Sequence, residues 1–191
     1  MRSLSFRRAF RAPLAAGIQS LALGFFLCSL ASAHVVLDEP AALAGQGYKA
    51  ALRIGHGCEG SPTTAVKVML PAGFAGAKPQ PKPGWTVAIR VEKLARPFES
   101  HGRRITEDVT ELSWTATSRE HWLPDSHFDE FVLRGTLPGR EGPLWFKVLQ
   151  VCEQGSIDWS EIPASPAAVH GLKRPAALLE VLPSGRTGHA H

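Results

Sequence analysis

The sequence predicts an all-β chain folded as an antiparallel sandwich from residue 34 onward. Three observations carry this. Apolar and polar residues alternate with a period of two through many short runs rich in Val, Ile, Thr and Trp. Clusters of Pro and Gly separate the runs. No long stretch after residue 33 shows the 3.6-residue periodicity of an amphipathic helix.

In chain order, residues 1–33 come first and read as a signal peptide. Arg2, Arg7, Arg8 and Arg11 form a basic start, Leu14 to Leu30 an apolar stretch, and Ala31-Ser32-Ala33 a cleavage site of small residues. A membrane span fits less well, because the apolar run is short, broken by Gln19 and Ser20, and ends in small residues. Phe6-Arg7-Arg8-Ala9-Phe10 is an imperfect twin-arginine signal, and Cys28 lacks the small residue that precedes a lipoprotein cysteine. The expected location is therefore periplasmic or extracellular.

The strands follow. Tyr48 to Ile54 puts Tyr48, Ala50 and Leu52 on one face, with Lys49 and Arg53 on the other. Thr64 to Leu70 opposes Val66, Val68 and Leu70 to Ala65, Lys67 and Met69. Trp85, Val87, Ile89 and Val91 share a face. Ile105 to Trp114 is a longer run with an irregularity near Asp108. Phe128 to Leu137 and Leu144 to Cys152 complete the strong set, and Ile157 to Ile162 and Ala177 to Leu182 are weaker. Their number and turn-separated spacing give an immunoglobulin-like or cupredoxin-like outline. Pro163-Ala164-Ser165-Pro166 marks a boundary, so the expected division is a domain over 34–163 and an extension over 164–191. In that extension Ala176 to Leu182 adds an edge strand or docks on the surface, and the Gly-rich end from Ser184 to His191 is expected to be disordered.

Charge excludes one class of function. The chain carries 21 Lys and Arg against 17 Asp and Glu. The four leader arginines account for the excess, leaving 17 against 17 after cleavage. The basic balance thus belongs to the leader, and nucleic acid is not an expected partner. Of three cysteines, Cys58 and Cys152 lie beyond the leader. An even pair in an exported protein reads as a disulfide, with a pair of copper thiolates as the weaker alternative.

Cleavage after Ala33 would make His34 the first residue. An N-terminal histidine offers one metal two nitrogens, its α-amine and its ring Nδ1. The amine has an unperturbed pKa of about 7.7–8.0, so it deprotonates on a metal near neutral pH. Amine and imidazole nitrogen suit Cu(II), which heads the divalent affinity series. On its own, His34 is more safely read as whatever residue happens to follow the cut.

Several stretches resemble, in order, the YcnI-like copper-binding domain family. They are Ala33-His34-Val35-Val36-Leu37 with Pro40, Gly45 and Tyr48-Lys49; Gly57-Cys58-Glu59-Gly60-Ser61-Pro62-Thr63-Thr64; Pro81-Lys82-Pro83-Gly84-Trp85; Glu111-Leu112-Ser113-Trp114; Phe128-Asp129-Glu130-Phe131; and Asp158-Trp159. The resemblance implies a β-sandwich in which the N-terminal histidine braces Cu(II), a glutamate adds a carboxylate, and a tryptophan lies against the metal. It implies extracytoplasmic copper trafficking or homeostasis, with a membrane copper importer or a copper chaperone as partner. Carried over, the metal ligands are His34 and Glu130, and the metal-adjacent residue is Trp159. Glu130 alternates with Phe131 and so faces away from it, and a solvated strand carboxylate beside Arg134 is the plainer reading. Asp129 faces the other way. Trp85, Trp114 and Trp145 read as core.

The remaining histidines read as exposed loop residues. His56 and His101 sit beside glycines, and His121 and His127 flank Pro124. His127 is close enough to Glu130 in sequence to be an added ligand or a support for one. His189 and His191 form a tail that would catch metal weakly or bridge to a partner. No nucleophile–base constellation, His-Glu-x-x-His or phosphate loop is present, so an enzyme is not expected. Two rivals stand beside the copper-trafficking reading. One is an oxidative enzyme of the polysaccharide monooxygenase type, which needs a second histidine. The other is a metal-free adhesion or assembly sandwich.

Overall fold

The computed structural model describes residues 34–100, 102–165, 168 and 171–184. The expected leader over residues 1–33 and the His189/His191 tail lie outside the described residues.

Eleven strands form among the described residues: β1 (Val36–Leu37), β2 (Ala41–Leu43), β3 (Gly47–Ile54), β4 (Thr63–Met69), β5 (Ala75–Pro79), β6 (Trp85–Ser100), β7 (Arg103–Ala116), β8 (Asp129–Thr136), β9 (Gly142–Cys152), β10 (Ser156–Trp159) and β11 (Ala177–Leu182). One sheet has the order β1-β3-β8-β5. The other has the order β2-β11-β9-β4-β7-β6, with β10 also paired to β9.

The alternation read from sequence is what lets these sheets face each other. Tyr48, Ala50, Leu52 and Ile54 of β3 are buried, while Lys49 and Arg53 are exposed. On β9 the buried positions are Leu144, Phe146, Val148, Gln150 and Cys152. Phe131 of β8 is fully buried at the centre, with Trp85 and Trp114 edge-on at 5.1 and 5.8 Å. Such T-shaped pairs put ring edges against π faces and add to plain area burial. Trp145, expected in the core, is only half-buried.

The structure differs from the expectation in four further places. β11 is not an edge strand. It lies between β2 and β9, with Ala177, Leu179 and Val181 buried, so the sandwich continues past residue 163. Its pairing with β2 is parallel, which makes that sheet mixed. The β6–β7 hairpin is longer than expected, running to Ser100 and Arg103. On it Ile89 and Val91, expected on the core face with Trp85, are 53% and 55% exposed. The expected irregularity is present as a register shift that skips Thr110, opposite Arg90 and Val91.

One edge of β9 pairs with β4. Its other edge is shared: β11 takes Gly142–Phe146 and β10 takes Val148–Val151. This division turns β10 back over β9 and places Trp159 opposite Val148, on the core side. The Cys58–Cys152 disulfide forms as expected and ties the loop after β3, in one sheet, to the end of β9, in the other.

Candidate metal centre

The site is built outward from a buried amide. Gln150 is 1% exposed, on the inward face of β9. A buried amide needs partners for both its donors and its oxygen. The Gln150 oxygen accepts from the Trp159 indole Nε1–H at 3.1 Å. Its Nε2 donates to the His56 carbonyl at 2.7 Å and to the Thr63 hydroxyl at 2.8 Å. One side chain thereby sets the indole of β10 and the backbone of the 55–62 loop relative to each other.

That loop is fixed at several further points. Cys58 and Ser61 exchange backbone hydrogen bonds of 2.9 Å across a tight turn. The turn uses Glu59 at φ 50° and Gly60 at φ 87°, the left-handed region that suits glycine. The Gly57 N–H donates to Asp125 Oδ1 at 2.9 Å. A side chain at Gly57 would put its Cβ 1.9 Å from the Ser61 carbonyl oxygen. The His56 Nδ1 pairs with the Gly57 carbonyl. Arg119 reaches Glu153 at 3.0 Å, bridging the 119–121 turn to the β9–β10 turn.

Two imidazoles meet the same indole. The His34 ring lies edge-on to Trp159 at 5.8 Å with an interplanar angle of 67°. The His56 ring does the same at 6.3 Å and 76°. Trp159 is 5% exposed, and both histidines are half-buried. His34 is held there because Val35 is buried and Val36–Leu37 pairs with β3 as β1.

The structure thus brings together His34 and Trp159. It places Glu130 elsewhere in the neighbourhood: two strands from Val36, with Arg53 between them in register. Glu130 faces away from Phe131, as its alternation requires, and lines a cavity of about 110 Å³ with Lys82, Pro83 and Trp114. Asp129 is held by Lys82 at 2.7 Å, and the same ammonium lies 5.1 Å from the centre of the Phe131 ring. His127 is exposed, with its Nδ1 against the Ser126 hydroxyl at 3.0 Å. No group of three His, Cys, Asp or Glu side chains converges to hold a metal among the described residues.

His56 is the residue that sequence reasoning passed over, read as an exposed loop histidine. A signal was available. His56 lies two positions before Cys58, and Trp159 lies on the strand that turns back after Cys152. Once those cysteines are joined, the histidine and the tryptophan are drawn to one end of the sandwich.

Comparison with known proteins agrees with this fold. An uncharacterised protein from Nocardia farcinica, whose crystal structure was described as revealing an immunoglobulin-like fold, superposes with a TM-score of 0.60 at 25% identity, over 78% of this chain and 97% of that one. The seventh ScaB type I cohesin from Pseudobacteroides cellulosolvens is matched at 8% identity with a TM-score of 0.38, over 83% of this chain and 97% of its own, too loosely to carry an argument. No curated protein matches. The model of the domain of unknown function DUF1775, a family related to the YcnI-like domains, matches residues 34–181, beginning at the histidine against Trp159 and ending in β11. Sandwich, immunoglobulin-like neighbour and match over most of the sequence lead to one statement: this chain belongs to the DUF1775 family.

Proposed function

We propose that the protein is an exported Cu(II)-binding protein of copper trafficking or homeostasis, periplasmic or extracellular, and not an enzyme. The observation that carries this is the His34–Trp159 contact at 5.8 Å. The residue that cleavage would expose lies against the tryptophan that the resemblance assigns to the metal. The donors fit copper in kind. Imidazole nitrogen and a deprotonated amine favour Cu(II) over the other common divalent ions. The amine is a backbone donor, created only when the peptide bond after Ala33 is cut. The copper ion is cargo here, and a membrane copper importer or a copper chaperone is the partner class.

The residues divide the work. His34 supplies two nitrogens from one residue. Trp159 has no lone pair to give, but its buried indole shields the site from water and offers a π face to a cation. Gln150 keeps that indole in place through the Nε1–H bond. Glu130, which the resemblance names as the carboxylate ligand, stands two strands from Val36.

Competition titration of the form beginning at His34 tests the reading. One Cu(II) per chain, held more tightly than Zn(II), is expected, whereas equal affinity for the two ions counts against it. A second reading, the oxidative copper enzyme, draws on the second imidazole at Trp159. Supplying ascorbate and oxygen with chitin or cellulose separates the two, and release of oxidised sugars would favour the enzyme.

A further inference from the structure

We infer that His56 completes the metal site, its Nε2 joining the amine and Nδ1 of His34 to make a set of three nitrogens. This rests on the copper-binding reading and names a ligand that the resemblance does not.

Three features of the loop point to it. First, the indole of Trp159 is packed into the core on its inward side, and the two half-buried imidazoles lie edge-on to it. They come from the chain start and from the loop after β3, yet meet on one ring. Second, the His56 Nδ1 faces a carbonyl oxygen, that of Gly57. A carbonyl only accepts, so Nδ1 carries the hydrogen and the lone pair belongs to Nε2. Ligating histidines commonly show this arrangement, in which the other ring nitrogen donates to a carbonyl or carboxylate and fixes the tautomer. Third, the loop holding His56 is anchored as a ligand loop needs to be. Gln150 grips its backbone, Asp125 takes the next N–H, and the disulfide pins Cys58. The same Gln150 grips the indole, so imidazole and tryptophan share one support.

Glu130 makes no such ring contact with Trp159 among the described contacts. It lies across Arg53 from Val36, and its carbonyl and its neighbour Asp129 are engaged by Lys82. A second imidazole also suits Cu(II) better than a carboxylate does, because borderline-soft copper favours nitrogen over hard oxygen.

The test is paramagnetic resonance on the Cu(II) form of the chain beginning at His34, read by pulsed methods that count coupled imidazoles. The wild type is expected to show two. His56→Ala is expected to show one, with Cu(II) affinity reduced about tenfold or more, while Glu130→Ala keeps both. Circular dichroism and thermal melting of the metal-free variants separate ligand loss from misfolding, and the wild-type count requires no variant. One imidazole in the wild type, or an unchanged spectrum and affinity in a folded His56→Ala, overturns the inference and leaves the copper-binding reading standing. A wild type that takes up no Cu(II) overturns both.

Discussion

At the scale of single residues, three positions carry more than their size suggests. Gly57 has no room for a methyl group, because the Ser61 carbonyl occupies the space. Gly57→Ala must shift the Cys58–Ser61 turn and is expected to cost about 2–3 kcal/mol. Denaturant melts check this, and a variant as stable as the wild type would contradict it. Thr110, at the register shift of β7, buries a hydroxyl that has no hydrogen-bond partner among the described residues. Thr110→Val keeps the shape and removes the unpaired oxygen, so it is expected to raise stability by about 1 kcal/mol. A lowered melting temperature would show that the hydroxyl is satisfied in solution. Tyr48 is the one tyrosine of the chain and donates to the Glu39 carbonyl at 2.5 Å. Burial, with Glu39 and Asp38 adding repulsion, pushes its hydroxyl from 10.0 up to about 12. The folded state thus holds this proton more tightly than the unfolded state does. Stability from it is complete below pH 10 and falls as pH rises from 10 towards 12, by at most about 1.4 kcal/mol per pH unit. Ultraviolet titration of this single tyrosinate is expected to give a midpoint near 12, and a midpoint of an ordinary tyrosine would contradict the burial argument.

At the scale of elements, period-two reading worked where one strand face meets the core and failed elsewhere for physical reasons. β3 was legible because Tyr48, Ala50 and Leu52 are buried against alternating exposed Lys49 and Arg53. β1, of two residues, and β2, of three, are too short to show alternation. The outer half of the β6–β7 hairpin has no buried residue among Val91, Glu92 and Lys93, so its pairing leaves no trace in hydropathy. β11 looked like an appendage because a Pro-rich stretch precedes it, yet its Leu179 is fully buried. The disulfide was legible from the even cysteine pair and the expected leader, and its position gives it weight. It closes a separation of 94 residues between the two sheets. Cys152→Ser is expected to lower stability by about 3–5 kcal/mol in the chain-entropy account. It should also loosen the loop that presents His56. Loss of stability below 1 kcal/mol would show that the hydrogen bonds of Gln150 and Asp125 hold the loop unaided.

At the scale of the whole molecule, the sandwich gathers the residues just before β1, the loop after β3 and the strand after β9 at one end. His34 and Trp159 could be named beforehand because a cleavage motif and an ordered set of family-like stretches pointed to each. His56 was passed over because nothing local distinguishes a histidine between two glycines, and its nearness to Cys58 tells only once that cysteine is paired with Cys152. Its position depends on that bridge and on a buried glutamine, whose bond to the His56 carbonyl is visible only once the sheets are stacked. The account as a whole depends on the freed amine of His34. Its most direct test is Cu(II) competition titration of two exported forms, one beginning at His34 and one carrying a single extra residue before it. The account predicts that the extra residue weakens Cu(II) binding by about tenfold or more. Equal affinity in the two forms would remove the amine from the ligands and contradict it.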